Sequence, residues 1–170
     1  MRLMLLLLAV TTIVSCSSDP KPLDCQGERE LVFQKETEFA ESGFEDELLH
    51  DLMRTYAEFA NACSSDSITP EFLFRRADLL RGDGQIRESI RLFKAVHDGY
   101  PQYPKGPVCA FLVAFLYETE LNDKLMAEKY YLQVIELHPD SEVSKSAAIT
   151  LKYLHETPAE LLMRLKEKNK

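Results

Sequence analysis

Apolar residues recur at helical spacing along most of this chain. Leu49, Leu52, Met53, Tyr56, Phe59 and Ala60 form one stripe at i, i+3, i+4 and i+7. The polar run SSDSIT then breaks the pattern. Thr69 and Pro70 supply an N-cap and a proline for the first turn of the next helix. Leu73, Ala77 and Leu80 carry the stripe on as far as Gly82 and Gly84, and Ile86, Ile90, Phe93 and Val96 resume it. Gly99 follows as a C-cap candidate with Pro101 close behind. Thr157-Pro158-Ala159-Glu160 reads as a capping box, and Lys166, Lys168 and Lys170 sit where a helix dipole favours cations. This punctuation predicts helices over 27–41, 46–62, 70–81, 85–98, 107–120, 124–137, 142–154 and 158–168. The first has the thinnest stripe: Leu31, Val32 and Phe39. No run alternates with period two, and the breaks are short, so an all-α fold of antiparallel hairpins is expected.

The middle of the chain also repeats. Pro70, Leu73, Ala77 and Leu80 align with Pro107, Ala110, Ala114 and Tyr117. Ser89, Phe93, Val96 and Pro101 align with Ala127, Tyr131, Val134 and Pro139 after one extra residue in the turn, where insertion is tolerated. Small residues at Ala77, Ala114 and Ala127 let helices approach, and Phe93 and Tyr131 fill the space between hairpins. Burial of such side chains is worth roughly 1.5–3 kcal/mol each. The pattern, with its period a little above about 34 residues, resembles the tetratricopeptide repeat. The stretch YPQYPKGPVCAFLVAFLYETELNDKLMAEKYYLQVIELHPDS is similar to repeats in envelope lipoproteins of Gram-negative bacteria, including the repeat regions of the β-barrel assembly machine lipoprotein and the Tol–Pal coordinator. The chain departs from the pattern at Arg76, where an apolar residue is usual, and it contains no Trp. The resemblance implies a short α-solenoid with repeats at about 70–103 and 107–141, flanked by capping hairpins.

The first residues address location. Arg2 is the only charge before Asp19, and Leu3 to Val14 is apolar apart from two threonines. At about 1.5 Å per residue this run spans roughly 18 Å, short of a ~30 Å hydrocarbon core. Such a charged start and short apolar core describe a secretory signal over residues 1–15. Ile13-Val14-Ser15-Cys16 resembles the lipobox of bacterial lipoproteins, which implies that Cys16 becomes the lipid-bearing first residue of the mature chain. Ser17 rather than Asp after it points to the outer membrane, with the domain on the periplasmic face. Residues 16–24, with Pro20 and Pro22, then read as a tether, and 25–170 as the helical domain.

A net charge of −8 argues against nucleic acid and against adhesion to anionic lipid. Cys25 and Cys63 fall at the same end of a helix hairpin, so an exported chain allows a bridge between them, the alternative being two free thiols. Cys109 reads as a small buried apolar residue. GDGQIRE imitates a calcium loop, but Leu79, Arg81 and Ile90 fall at ligand positions. His50, His97, His138 and His155 are scattered, so neither metal nor cofactor is expected. No nucleophile motif or phosphate loop is present, and no enzymatic activity or small-molecule substrate is expected.

Stacked hairpins line a concave face with their first helices. In the repeat alignment those positions are Glu71, Phe74, Asp78 and Arg81, then Val108, Phe111, Phe115 and Glu118. They form either a partner-binding groove or, at Phe111 and Phe115, core between repeats. The expected function is a lipid-anchored adaptor that binds another protein. The alternative is an accessory structural subunit of an outer-membrane assembly or a Tol–Pal-type division complex.

Overall fold

The computed structural model describes residues 24–43 and 45–168. Among them are eight helices and no strand: α1 (Cys25–Glu41), α2 (Asp46–Ala62), α3 (Thr69–Gly82), α4 (Ile86–Gly99), α5 (Gly106–Thr119), α6 (Lys124–Leu137), α7 (Glu142–Tyr153) and α8 (Pro158–Lys168). Helices α1 to α7 pack in chain order, each against the next, and α5 also touches α7. The all-α, hairpin-by-hairpin architecture is the short helical solenoid expected from the periodicity.

The first three hairpins each turn through one left-handed residue. Gly43, Gly84 and Asn122 have φ of 75°, 76° and 51°, and each lies one or two residues before the next N-cap. Asparagine tolerates this region because its short polar side chain bonds locally. The turn of the second repeat, one residue longer, therefore places an asparagine in the left-handed position that a glycine takes in the first. Asp123 then caps α6 by accepting from Met126 N at 3.0 Å. At the far end Thr157 and Glu160 form the expected capping box, with Thr157 N donating to Glu160 Oε2 at 2.8 Å.

Three apolar clusters follow one another. The first joins Val32, Phe39, Leu52, Tyr56, Phe59 and Phe72; the second Ala77, Phe93, Val96, Cys109, Val113 and Leu116; the third Ala114, Ala127, Tyr131, Val134, Ala147 and Leu154. Helix α3 serves two of them, backward through Phe72 and forward through Ala77. Helix α5 does the same through Val113 and Ala114. The small residues picked out by the repeat, and Phe93 and Tyr131, are fully buried.

Two local expectations need correction. Helix α1 buries Val32 and Phe39, seven residues apart, with Cys25 half-buried a further seven before them, and Leu31 is exposed. Thr69 is no N-cap; it is the first residue of α3 and is buried, its hydroxyl donating to Cys63 O. Helix α8 buries no residue, and Leu161, Leu162, Met163 and Leu165 stay exposed. It is tied to the body by Arg164, which stacks 4.0 Å from the Tyr153 ring and pairs with Glu156 at 2.8 Å.

Candidate partner-binding face

The eight residues expected to line a groove fall into two rows. Glu71, Phe74, Asp78 and Arg81 lie on α3, and Val108, Phe111, Phe115 and Glu118 repeat their spacing on α5. Spacing at i, i+3, i+7 and i+10 keeps each row on one helix face. The rows differ in what folding leaves open.

The first half of the α3 row, Glu71 and Phe74, is covered by the α4–α5 connection. Phe74 packs edge-on against Phe93, centroids 5.5 Å apart, and meets Tyr103 at 6.4 Å. Lys105 Nζ stands 4.7 Å from the Phe74 centroid. The same ammonium pairs with both Glu71 oxygens at 2.8 and 3.0 Å, the Tyr103 hydroxyl donates to Glu71 at 2.6 Å, and Arg75 donates at 3.0 Å. Burial alone would raise the Glu71 carboxyl. The donors from Lys105, Tyr103 and Arg75 outweigh it and hold the group down at about 2. Asp78 and Arg81 pair with each other at 2.7 Å. Phe74 is therefore half core and Glu71 a structural acceptor.

The α5 row is open. Phe111 stacks on Phe115 with centroids 6.3 Å apart and planes 16° from parallel, and it tilts against Tyr131 at 5.4 Å. The Tyr131 hydroxyl donates to Glu118 Oε2 at 2.7 Å; burial, then this carboxylate, push it well above the usual phenol range. Phe111 packs half-buried against the third cluster, and Phe115 remains 36% exposed. Val108 and Glu118 are half-buried. Phe111 is thus half-buried against the third cluster, and Phe115 is exposed.

The cysteines divide as well. Cys25 and Cys63 are brought together, with sulfurs 2.06 Å and Cα atoms 5.8 Å apart. Arg29 Nη2 pins the same corner by contacting both Asp66 oxygens at 2.7 Å. Cys109 is buried, and burial pushes its thiol up to about 12, where it is a poor nucleophile. Cys16 and residues 1–23 lie outside the described residues.

Two features escaped the sequence reading. Phe72 is fully buried and touches Phe33, Tyr56 and Phe59, yet its position just after Pro70 placed it outside the stripe. His97 and His138 meet with Nε2 atoms 2.9 Å apart. The repeat could have shown this, because the two histidines end the second helices of successive hairpins. Among the described residues no group of three or more His, Cys, Asp or Glu is placed to hold a metal ion. A cleft of about 160 Å³ opens beside His97, lined also by Lys94, Asp98, Ala110, Tyr130 and Leu137, and a wider, more open one of about 560 Å³ touches both histidines.

No family model matches the chain, and no curated protein matches it. Among solved structures it is similar to a tetratricopeptide repeat protein from Parabacteroides merdae, at 12% sequence identity and a TM-score of 0.38. The likeness covers 76% of this chain and 60% of that one, so the chain spans less than two thirds of the other's length.

Proposed function

We propose that this chain is a lipid-anchored, non-catalytic module that binds another protein in the bacterial cell envelope, held through Cys16 to the outer membrane with its domain on the periplasmic face. The observation that carries the binding role is the Phe111–Phe115 stack. Folding buries Phe93 and Tyr131 completely, yet leaves Phe115 at 36% exposure on the first helix of a hairpin. Aromatic side chains on such a face supply anchoring area for a helix or extended segment of a partner. A non-catalytic role is supported by the chemistry around the face. Glu71 and Glu118 are committed to hydrogen bonds, and the Cys109 thiol is inaccessible and protonated. The anchor rests on the Ile13-Val14-Ser15-Cys16 motif.

Two experiments test the two halves separately. Detergent partitioning moves the wild-type chain with membrane lipid and leaves Cys16→Ala in the aqueous phase; equal partitioning removes the anchor. A photo-crosslinker at position 115 in intact cells gives a discrete protein adduct, and one at exposed position 136 on α6 does not. The same adducts from both positions would remove the docking face.

A further inference from the structure

We propose that residues 18–23 of this chain dock, with Pro20 and Leu23 as anchors, into the cleft between the α2–α3 turn and the α4–α5 connection. The cleft measures about 400 Å³. One wall is the turn from Ser64 to Ser67; the other is Tyr100, Pro101, Tyr103 and Pro104. The walls meet where the Tyr100 hydroxyl donates to Ser64 O at 3.4 Å. Both are fixed by the fold. Asp66 N donates to Cys63 O at 3.0 Å and Ile68 N to Asp66 Oδ1 at 3.0 Å, which holds the turn. Tyr103 N donates to Tyr100 O at 2.9 Å, and Glu71 holds the Tyr103 hydroxyl. Pro101, Gln102 and Pro104 are nonetheless exposed. Folding has thus built a groove of aromatic and proline faces beside serine hydroxyls, and extended proline-rich segments bind such grooves.

The chain itself supplies one. Residues 19–23 read Asp-Pro-Lys-Pro-Leu. Asp19 and Lys21 each precede a proline, which favours extended backbone and lowers the entropy lost on docking. At three residues per turn Pro20 and Leu23 share one face, about 9 Å apart, while Lys21 falls on another. The prolines offer carbonyl acceptors without N–H groups, which suits a wall of serine hydroxyls and the Gln102 carboxamide. Position decides the occupant. Asp24 caps α1, and the Cα of Cys25 lies 5.8 Å from that of Cys63, one residue before Ser64. Residues 18–23 therefore join the domain at the edge of the cleft, and at about 3.1 Å each they reach roughly 19 Å along it. Attachment makes docking intramolecular, at an effective concentration of about millimolar, so two anchors suffice against a free segment of the same kind. On the anchored reading above, docking leaves residues 16 and 17 as free tether, about 6 Å of chain in place of about 28 Å, which turns this end of the hairpins toward the membrane. Only that consequence rests on the lipid anchor.

The test places a photo-crosslinker at exposed position 102 of the full chain, with Cys16 present and in Cys16→Ala. Mass mapping should show an adduct within one chain to residues 18–23, at equal yield in both, so that a failure of the anchor leaves the docking standing. The yield should fall about fivefold in Pro20→Ser/Leu23→Ser, which removes both apolar anchors, and hold in Lys21→Ser. A second measurement leaves the cleft unaltered: Pro20→Ser/Leu23→Ser should move the amide resonances of Ser64, Ser65 and Gln102 and leave those of Glu128 and Glu136 in place. An adduct to a second copy or to another protein instead of the internal one, undiminished yield in the double variant, or unmoved resonances at Ser64, Ser65 and Gln102 would each overturn the docking.

Discussion

Glu71 shows how one residue changes meaning between sequence and structure. As an acidic position on the first helix of a repeat it read as a groove edge. In the fold it accepts from Lys105, Tyr103 and Arg75, which ties α3 to the linker that leads into α5. Its carboxyl drops from 4.5 to about 2 on folding. A depressed folded value adds stability that is complete above the unfolded value and lost as pH falls through the folded one. Glu71 thus contributes in full above about pH 4.5 and ceases to contribute near pH 2. After allowance for solvent screening the effect is about 1–2 kcal/mol. Glu71→Gln should lose that amount at pH 7 and show a flatter rise in stability between pH 2 and 4.5, measured by urea unfolding at several pH values. Phe74 follows the same logic. Its contacts with Phe93 and Tyr103 make Phe74→Ser destabilising by about 2–4 kcal/mol, whereas Phe115→Ser should shift thermal unfolding little and abolish partner crosslinking. A large loss of stability in Phe115→Ser would return that ring to the core.

At the scale of elements, the hairpin turns and the first corner carry the weight. Gly84 and Gly82 both have open space where a Cβ would stand, but only Gly84 has positive φ. Gly84→Ala should therefore cost about 1–2 kcal/mol, while Gly82→Ala should be neutral or stabilising by about 0.5–1 kcal/mol, both read from thermal melts. The cysteine pair closes a separation of 38 residues between the start of α1 and the end of α2. Chain entropy gives such a closure roughly 3–4 kcal/mol. Intact mass without reduction should be two hydrogens below the reduced chain, and Cys63→Ser should lower the urea midpoint accordingly; two alkylatable thiols there would remove the bridge. Helix positions were legible because stripes at i, i+3 and i+4 and the Pro and Gly punctuation reflect backbone physics directly. The face of α1 was not, because its buried residues stand a full seven apart and are interleaved with Leu31 and Phe33. Thr69 misread for a related reason: a hydroxyl that satisfies a carbonyl six residues back, Cys63 O, leaves no local signature.

Across the whole molecule, coupling follows from helices shared between clusters. Because α3 packs Phe72 into the first cluster and Ala77 into the second, and α5 packs Val113 into the second and Ala114 into the third, no cluster from α1 to α7 can open alone. In a solenoid each unit contacts only its neighbours, so such shared helices set whether the array melts as one body. The burial pattern that implies this was readable in the sequence, since the repeat marks Ala77, Ala114, Phe93 and Tyr131 as fixed positions. The open surface was harder to read, because an aromatic on an outward face has the same spacing as one in the core. Helix α8 lies outside the coupled set. It buries nothing and hangs on Arg164, Tyr153 and Glu156. Native-state hydrogen exchange should therefore divide the chain in two. Amides of α3 to α6 should exchange only through global unfolding, with one shared free energy, while those of 158–168 should exchange through local opening. Phe72→Ala, at about 3–5 kcal/mol, should lower protection in α5 and α6 as much as in α2. Protection lost in α1 to α3 alone would mean that the clusters melt independently, and that a partner docked at Phe115 would hold only the second repeat rather than the whole array.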